Sequence, residues 1–312
     1  MTFYKKRLFA TLRENSIAAM KLYFRNVSKS HSLPKLSRFI NKKLYRLGLG
    51  SALNRYDNSL TLYSAKADKK LYSDYELNEK FLNFGSGAFF HNRWKNYDYP
   101  GQSSYYLSIQ GKEGSNFFAI DLCSKKLAIP ESDDSVALIY CSHTLEHLDK
   151  ESSLRFLKEC LRILKKGGVM RVALPNTRND FYLTRCLINQ KEMIGSLYEN
   201  YVADATSHVL TDTAKLDSEE ITGLLDESQF QSDTFYSKTL AKYPEISLFD
   251  GNNPERHINY WEFENLIEAT KTIGFRCVVP TYQGSSLALP FTNLHVFDTT
   301  EPHISCYADI VK

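Results

Sequence analysis

The chain has no long apolar run. Nothing in its 312 residues approaches the ~20 consecutive apolar positions of a membrane-spanning helix, so no such helix is expected. It also lacks paired cysteines. The six (Cys123, Cys141, Cys160, Cys186, Cys277, Cys306) are scattered with no C-x-x-C among them. That argues against a disulfide framework or a zinc knuckle and fits a reducing cytoplasm. The opening MTFYKKRLFATLREN lacks the apolar centre and small-residue cleavage site of a secretory signal. Acidic residues are nearly missing from positions 1–55. Thirteen lysines and arginines stand there against Glu14, a local charge of +12 that leaves −9 for the rest of a chain with net charge +3. Such a split reads as a basic arm on an acidic body.

What is present is ordinary for a globular protein: 43% hydrophobic and 24% charged residues. The 20 Tyr and 19 Phe are read as core packing. The arm over 1–55 reads as two helical pieces. Leu36, Phe39, Ile40, Leu44 and Leu47 repeat at helical spacing, and Gly48 and Gly50 end the run. One reading is an amphipathic element for an anionic membrane surface, a lipid-linked substrate or an acidic partner. The preferred reading is a helical arm packed on the domain with its lysines solvated. Nucleic acid has no supporting motif here.

Residues 80–175 organise the chain. KFLNF predicts a buried strand, and Gly85-Ser86-Gly87 follows directly, where glycine allows positive φ and close approach of a ligand. Residues 94–97 predict a second strand ending at Asp98. Residues 116–120 predict a third ending at Asp121-Leu122, and 136–140 a fourth leading into Cys141-Ser142-His143. A helix is expected around 152–164 with Leu154, Leu157, Leu161 and Leu164 on one face. Lys165-Lys166-Gly167-Gly168 closes it, and 169–174 is the fifth strand. Polar residues at the carboxyl ends of successive strands are how a parallel α/β sheet displays a ligand site. A dinucleotide site places its acidic residue ~20 positions past the glycines. Here Asp98 follows Gly87 too soon, which argues against NAD.

These motifs together resemble the class I S-adenosylmethionine-dependent methyltransferases. They are most similar to the small Rossmann-like, methyltransferase type 11-like members associated with polysaccharide biosynthesis. The residues carrying the resemblance are LNFGSG (82–87), NYD (96–98), IDLCSKKLAIPESDDSVALIYCSHTLEHL (120–148) and LKKGGVMRVALPN (164–176). HINYWEFENLIEATKTIGF (257–275) and FDTTEPHISCYADIVK (297–312) continue it. It covers roughly 80–177 and 255–312. The chain departs from the pattern in having no third loop glycine and in carrying Asn83 where an acid is usual.

The resemblance implies an α/β fold: a Rossmann-like, mostly parallel seven-stranded sheet with an antiparallel last strand, plus an N-terminal helical arm and a helical lid. The expected domains are the arm (1–55), the cofactor-binding domain (56–177 and 255–312) and a substrate lid (178–254). It implies S-adenosylmethionine held by Asn83, Phe84, Gly85, Ser86 and Gly87, with Asp98 and the adjoining Tyr99 at the ribose. Asp121 and Leu122 bracket the adenine, and Ser142 lies beneath the sulfonium. It implies methylation of a hydroxyl on a sugar or related small molecule in the cytoplasm or at a membrane's periphery. His143 is the first candidate for the base, then His147 and His257.

His143-Thr144-Leu145-Glu146-His147 also fits the H-x-x-E-H zinc-protease pattern, which needs an interior helix and a distant third ligand. It follows a β-rich run, so no metal is expected. Competing readings are a non-catalytic binding or scaffold protein on the same fold and a nucleic-acid methyltransferase. The latter lacks the Asn/Asp-Pro-Pro-aromatic signature.

Overall fold

The computed structural model describes residues 40, 65–87, 91, 93–100, 116–176, 249–252, 254, 257–294, 296–300 and 305–312. All of the expected basic arm over 1–55 but residue 40, and most of the expected lid over 178–254, therefore lie outside the described residues. The chain divides into two units, one of residues 1–76 and 289–301, the other of 77–288 and 302–312. In the first, helix α1 (Ala65–Lys70) presents Asp68, whose Oδ1 accepts a 2.7 Å hydrogen bond from Asn293 Nδ2. Phe291 and Phe297 meet edge to face there, 5.2 Å between centroids. Among the described residues no helix is long and apolar enough to cross a membrane.

The second unit is built on one seven-stranded sheet in the order β3-β2-β1-β4-β5-β7-β6. The strands are β1 (Lys80–Phe84), β2 (Trp94–Asp98), β3 (Phe117–Ala119), β4 (Val136–Ser142), β5 (Leu164–Pro175), β6 (Cys277–Thr281) and β7 (Ser305–Val311). The first five pair in parallel, and β7 runs antiparallel between β5 and β6. This is the α/β, Rossmann-like architecture expected from the sequence. Strand β4 is buried from Val136 through Cys141. That continuous burial is why VALIYC reads as an unbroken apolar run: helices cover both faces of a parallel sheet. Pro280 is tolerated because β6 is an edge strand, where one backbone donor can be missing.

Helix α2 (Lys150–Ile163) is started by Asp149, whose carboxylate accepts from Ser152 N–H at 2.8 Å and Ser152 Oγ at 2.6 Å. Its buried stripe is Ser152, Ser153, Phe156, Leu157, Cys160 and Ile163. Of the four leucines expected on that stripe only Leu157 is on it. Leu154 and Leu161 are half-buried at its edge and Leu164 already begins β5. The larger Phe156 and the small Cys160 fit the sheet better than a leucine row does.

Strand β5 starts earlier than the apolar pattern suggests. Val136 pairs with Leu164 and Leu138 with Val169, so Lys165–Gly168 bulge out of the ladder. Gly167 takes φ +77° at the bulge. Helix α3 (Phe263–Ile273) opens with a reciprocal Glu262–Asn265 cap and closes on Gly274 at φ +112°.

Behind the site the sheet buries an ion pair. Arg171 on β5 and Asp309 on β7 face each other in register, both fully buried, 3.1 Å apart. The guanidinium also donates to Thr281 Oγ1 and to the carbonyls of Ser285 (2.9 Å) and Tyr282 (2.9 Å). The other Asp309 oxygen accepts from Ser286 Oγ (2.8 Å) and Leu287 N–H (2.6 Å). The pair therefore ties the β6–β7 connection to the centre of the sheet. Asp309→Ala, which strands a buried guanidinium, is expected to cost roughly 3–5 kcal/mol in urea unfolding. A loss within experimental error of zero would show that water or another acceptor relieves Arg171.

Candidate active site

The sheet order sets the ends of β3, β2, β1 and β4 side by side, and the residues singled out from the sequence lie there. Asn83 and Phe84 end β1 and are buried. Asn83 Nδ2 donates to Asn96 Oδ1 of β2 at 3.2 Å. The neutral amide thus joins two strands where a carboxylate would have needed a cation.

Gly85 takes φ +64° and Gly87 φ +49°. A Cβ on Gly85 would lie 1.9 Å from Thr144 Oγ1, so no side chain fits. Thr144 is buried, with its hydroxyl 3.3 Å from Phe84 O and 3.1 Å from Ser142 O. This contact presses the loop after β1 onto the loop after β4.

Asp98 is 4% exposed. Its Oδ2 accepts the Gly87 N–H at 2.6 Å and its Oδ1 the Tyr99 N–H at 2.8 Å. Ser86 is buried, and its N–H donates to Tyr97 O at 3.3 Å. The carboxylate at the end of β2 therefore holds the glycine loop closed over the strand ends. Tyr99 meets Phe249 edge to face at 5.3 Å. A Cβ on Gly251 would come within 2.8 Å of Tyr99 Oη.

Asp121 is exposed beyond β3, and its Oδ1 accepts the Cys123 N–H at 2.9 Å. Leu122 is buried in the main core. Asp121 thus stands as an exposed turn former.

Ser142 ends β4 half-buried, and His143 turns the chain at φ +48°, a conformation rare outside glycine. Its N–H donates to Ala173 O at 2.8 Å. The ring lies between two groups: Nδ1 is 3.2 Å from Glu146 Oε1, and Nε2 is 2.8 Å from Ser305 Oγ at the start of β7. Glu146 is 1% exposed. Burial pushes its carboxyl up, but the His143 contact and the charges of His143, His147 and His257 outweigh this and hold it down to about 2. His143 Nε2 and the Ser305 hydroxyl share one hydrogen bond, whose direction follows the ring tautomer.

His147 and His257 meet at 4.8 Å between ring centroids. The approach is set by backbone: the N–H groups of Ile258 and Asn259 both donate to Glu146 O, at 2.8 and 3.0 Å. Residues 145–147 form a 3-10 turn rather than an α-helix. The zinc-protease geometry, two histidines one α-turn apart, is therefore absent.

All three candidate histidines converge on Glu146, and the candidate cofactor residues occupy the neighbouring strand ends. Sequence reasoning left Glu146, Thr144 and Ser305 unassigned. Glu146 had a signal in the H-x-x-E-H spacing. Thr144 and Ser305 had none, because each acts only through contacts distant in sequence.

A family of methyltransferase domains, Methyltransf_11, matches residues 100–172, well under half of the chain. No curated protein matches. Among solved structures, one is a SAM-dependent methyltransferase from Thermotoga maritima, at 14% identity and TM-score 0.36, covering 88% of this chain and 97% of that one. A SAM-dependent methyltransferase from Archaeoglobus fulgidus aligns at 14% identity and TM-score 0.37 over 79% and 93%. An S-adenosylmethionine-dependent methyltransferase from Mesorhizobium loti aligns at 11% identity and TM-score 0.35 over 78% and 96%. The sheet order and the matched segment, rather than these overlays, support a class I methyltransferase fold.

Two outcomes test this geometry. Gly85→Ala is expected to destabilise the chain by more than ~2 kcal/mol, through the Thr144 clash and about 1 kcal/mol of backbone strain. Adding Thr144→Ala should relieve the steric part, and an unrelieved double variant would place the fault elsewhere. Because the Glu146 carboxyl is depressed on folding, its contribution is present above the ordinary carboxyl range and fades as pH falls toward 2. Wild type should exceed Glu146→Gln by roughly 3 kcal/mol at pH 5, with the gap narrowing by pH 3. A gap that stays constant with pH would remove the electrostatic account.

Proposed function

We propose that this chain transfers the methyl group of S-adenosylmethionine to a hydroxyl of a sugar or related small molecule. The observation that carries the proposal is Asp98 at the end of β2, buried and hydrogen-bonded to the backbone of the glycine loop beside it. A carboxylate at the end of the second strand, next to a glycine turn that a ligand can approach closely, suits a molecule with vicinal hydroxyls and a charged tail. The residues present therefore fit the cofactor. Asn83 to Gly87 would hold its amino-acid end, Asp98 and Tyr99 its ribose, and Asp121 and Leu122 its adenine. When bound, S-adenosylmethionine supplies an electrophilic methyl on a sulfonium.

The protein's own work is then positional and acid–base. Ser142 and His143 leave β4 next to Gly85 and face the acceptor side. His143 Nε2 would take up the proton of an acceptor hydroxyl that occupied the place of Ser305 Oγ. The imidazolium that results is stabilised by Glu146, 3.2 Å from Nδ1. His147 and His257 complete the wall around that carboxylate. The aromatic end of the 178–254 segment, Phe249 against Tyr99, supports a substrate-selecting lid next to the cofactor end. The free cysteines among the described residues fit a cytoplasmic protein. The sugar class rests on the resemblance to polysaccharide-associated methyltransferases.

Calorimetry with S-adenosylhomocysteine tests the reading. Wild type should bind, and Asp98→Ala should bind about 10- to 100-fold more weakly, the loss expected for charge-assisted hydrogen bonds. His143→Ala should keep that affinity and lose ~100- to 10,000-fold in turnover. Failure of wild type to bind either form of the cofactor would overturn the proposal.

A further inference from the structure

The cluster around Glu146 is more than a base and its orienting carboxylate need. Glu146 is 1% exposed, and neither of its oxygens accepts a hydrogen bond from any described residue. The His143 contact lies within ion-pair range but is not directed as a hydrogen bond. A buried carboxylate in that position calls for a cation. The side chains that face it are three imidazoles: His143, His147 (Nε2 at 4.0 Å) and His257. No lysine or arginine among the described residues pairs with it.

We propose that Glu146, His147 and His257 form a binding site for a divalent transition-metal ion of the zinc class. One ligand atom from each of the three lies within 4.8 Å of the others. Ligand atoms around a tetrahedral zinc at 2.0–2.1 Å would be about 3.3 Å apart, so only modest inward rotation is needed. Two imidazoles with one carboxylate select zinc and its first-row neighbours over magnesium or calcium, which prefer all-oxygen shells. The scaffold is set before any ion arrives. The two backbone donations from 258 and 259 to Glu146 O fix His257 against the 145–147 turn. Glu146 Oε1 lies 3.2 Å from His143 Nδ1 and 4.0 Å from His147 Nε2, so the carboxylate that would take the ion also touches His143.

His147 and His257 are half-buried, which gives an ion a way in. Three protein ligands leave a position for water or a hydroxyl, beside His143. The assignment differs from the zinc-protease pattern in its ligands: His257, 110 positions after His147 in the sequence, replaces His143. It does not rest on the methyl-transfer reading.

The test is zinc titration, by calorimetry, of the full-length, tag-free protein after chelator treatment and exchange into metal-free buffer. Wild type should bind one zinc per chain. His257→Ala and Glu146→Gln should each weaken binding by more than ~100-fold, beyond the loss typical of residues that only support a ligand. Zinc should also raise the melting temperature of wild type and not of His257→Ala. His257 is half-buried, so that variant serves if Glu146→Gln does not fold. Absence of zinc binding by folded wild type, or binding of equal strength in the His257→Ala and His147→Ala variants, would overturn the proposal.

Discussion

The candidate site depends on the contact between Gly85 and Thr144. A backbone at φ +64° sits where any Cβ would fall inside the threonine hydroxyl. Neither loop could hold its shape without the other. The loop after β1 curls over its strand end because Thr144 occupies the space a side chain would take. The loop after β4 turns because His143 also accepts the left-handed region. From this one approach follow the direction of the Gly87 N–H toward Asp98 and the entry of 145–147 into a 3-10 turn beneath Glu146. Strain stored at His143 and close packing at Gly85 are what a site positioned by backbone, rather than by long side chains, requires.

Besides Asp98, the described residues of the sheet unit include three more buried acidic centres, and their environments differ in a telling way. Asp309 is matched by Arg171 and by donors from the β6–β7 connection, so both of its oxygens are satisfied. Glu131 receives Lys80 at 2.6 Å and Lys95 at 2.7 Å, with the Tyr97 hydroxyl at 3.3 Å. It closes the opposite ends of β1 and β2. Both are internal ties whose partners are permanently charged. Glu146 is as deeply buried, and the side chains that face it among the described residues are imidazoles. A protein that wanted only stability at that position would have placed an arginine there. Imidazoles are retained where a proton or an ion has to come and go.

Most of the sheet was legible in the sequence because its strands are buried on both faces. VALIYC, KFLNF and RVALP are apolar runs too short for helices and bounded by turn residues. The strand ends were legible too, since Gly85, Asp98, Asp121 and His143 each interrupt an apolar run with a residue that strands disfavour. The connection from Gly85 to Arg93 has only nine residues, short for a parallel crossover, yet β1 and β2 pair in parallel. Other features could not be read from local pattern. Arg171 sits inside an apolar run and looks like a misplaced charge until Asp309 is brought across from β7. Ser305 and Thr144 are ordinary polar residues whose meaning is a neighbour more than 50 positions away.

His257 shows most clearly how topology supplies what spacing cannot. It precedes α3, which packs back toward the sheet through Leu266 and the half-buried Phe263 and Ile273. The helix itself runs from the capped Glu262 to Gly274, so its start is fixed by residues that have no part in the site. Once α3 is docked, the preceding segment lies against the 145–147 turn, and the two N–H groups of Ile258 and Asn259 find the Glu146 carbonyl. The histidine arrives at the carboxylate as a consequence of a helix cap and an apolar stripe. Two backbone hydrogen bonds then hold it there, so its position does not depend on binding a ligand. A side chain delivered in this way is pre-organised: little further ordering entropy stands between the free protein and an occupied site. That is the condition under which weak individual contacts from two imidazoles and one carboxylate can act as a single binding group.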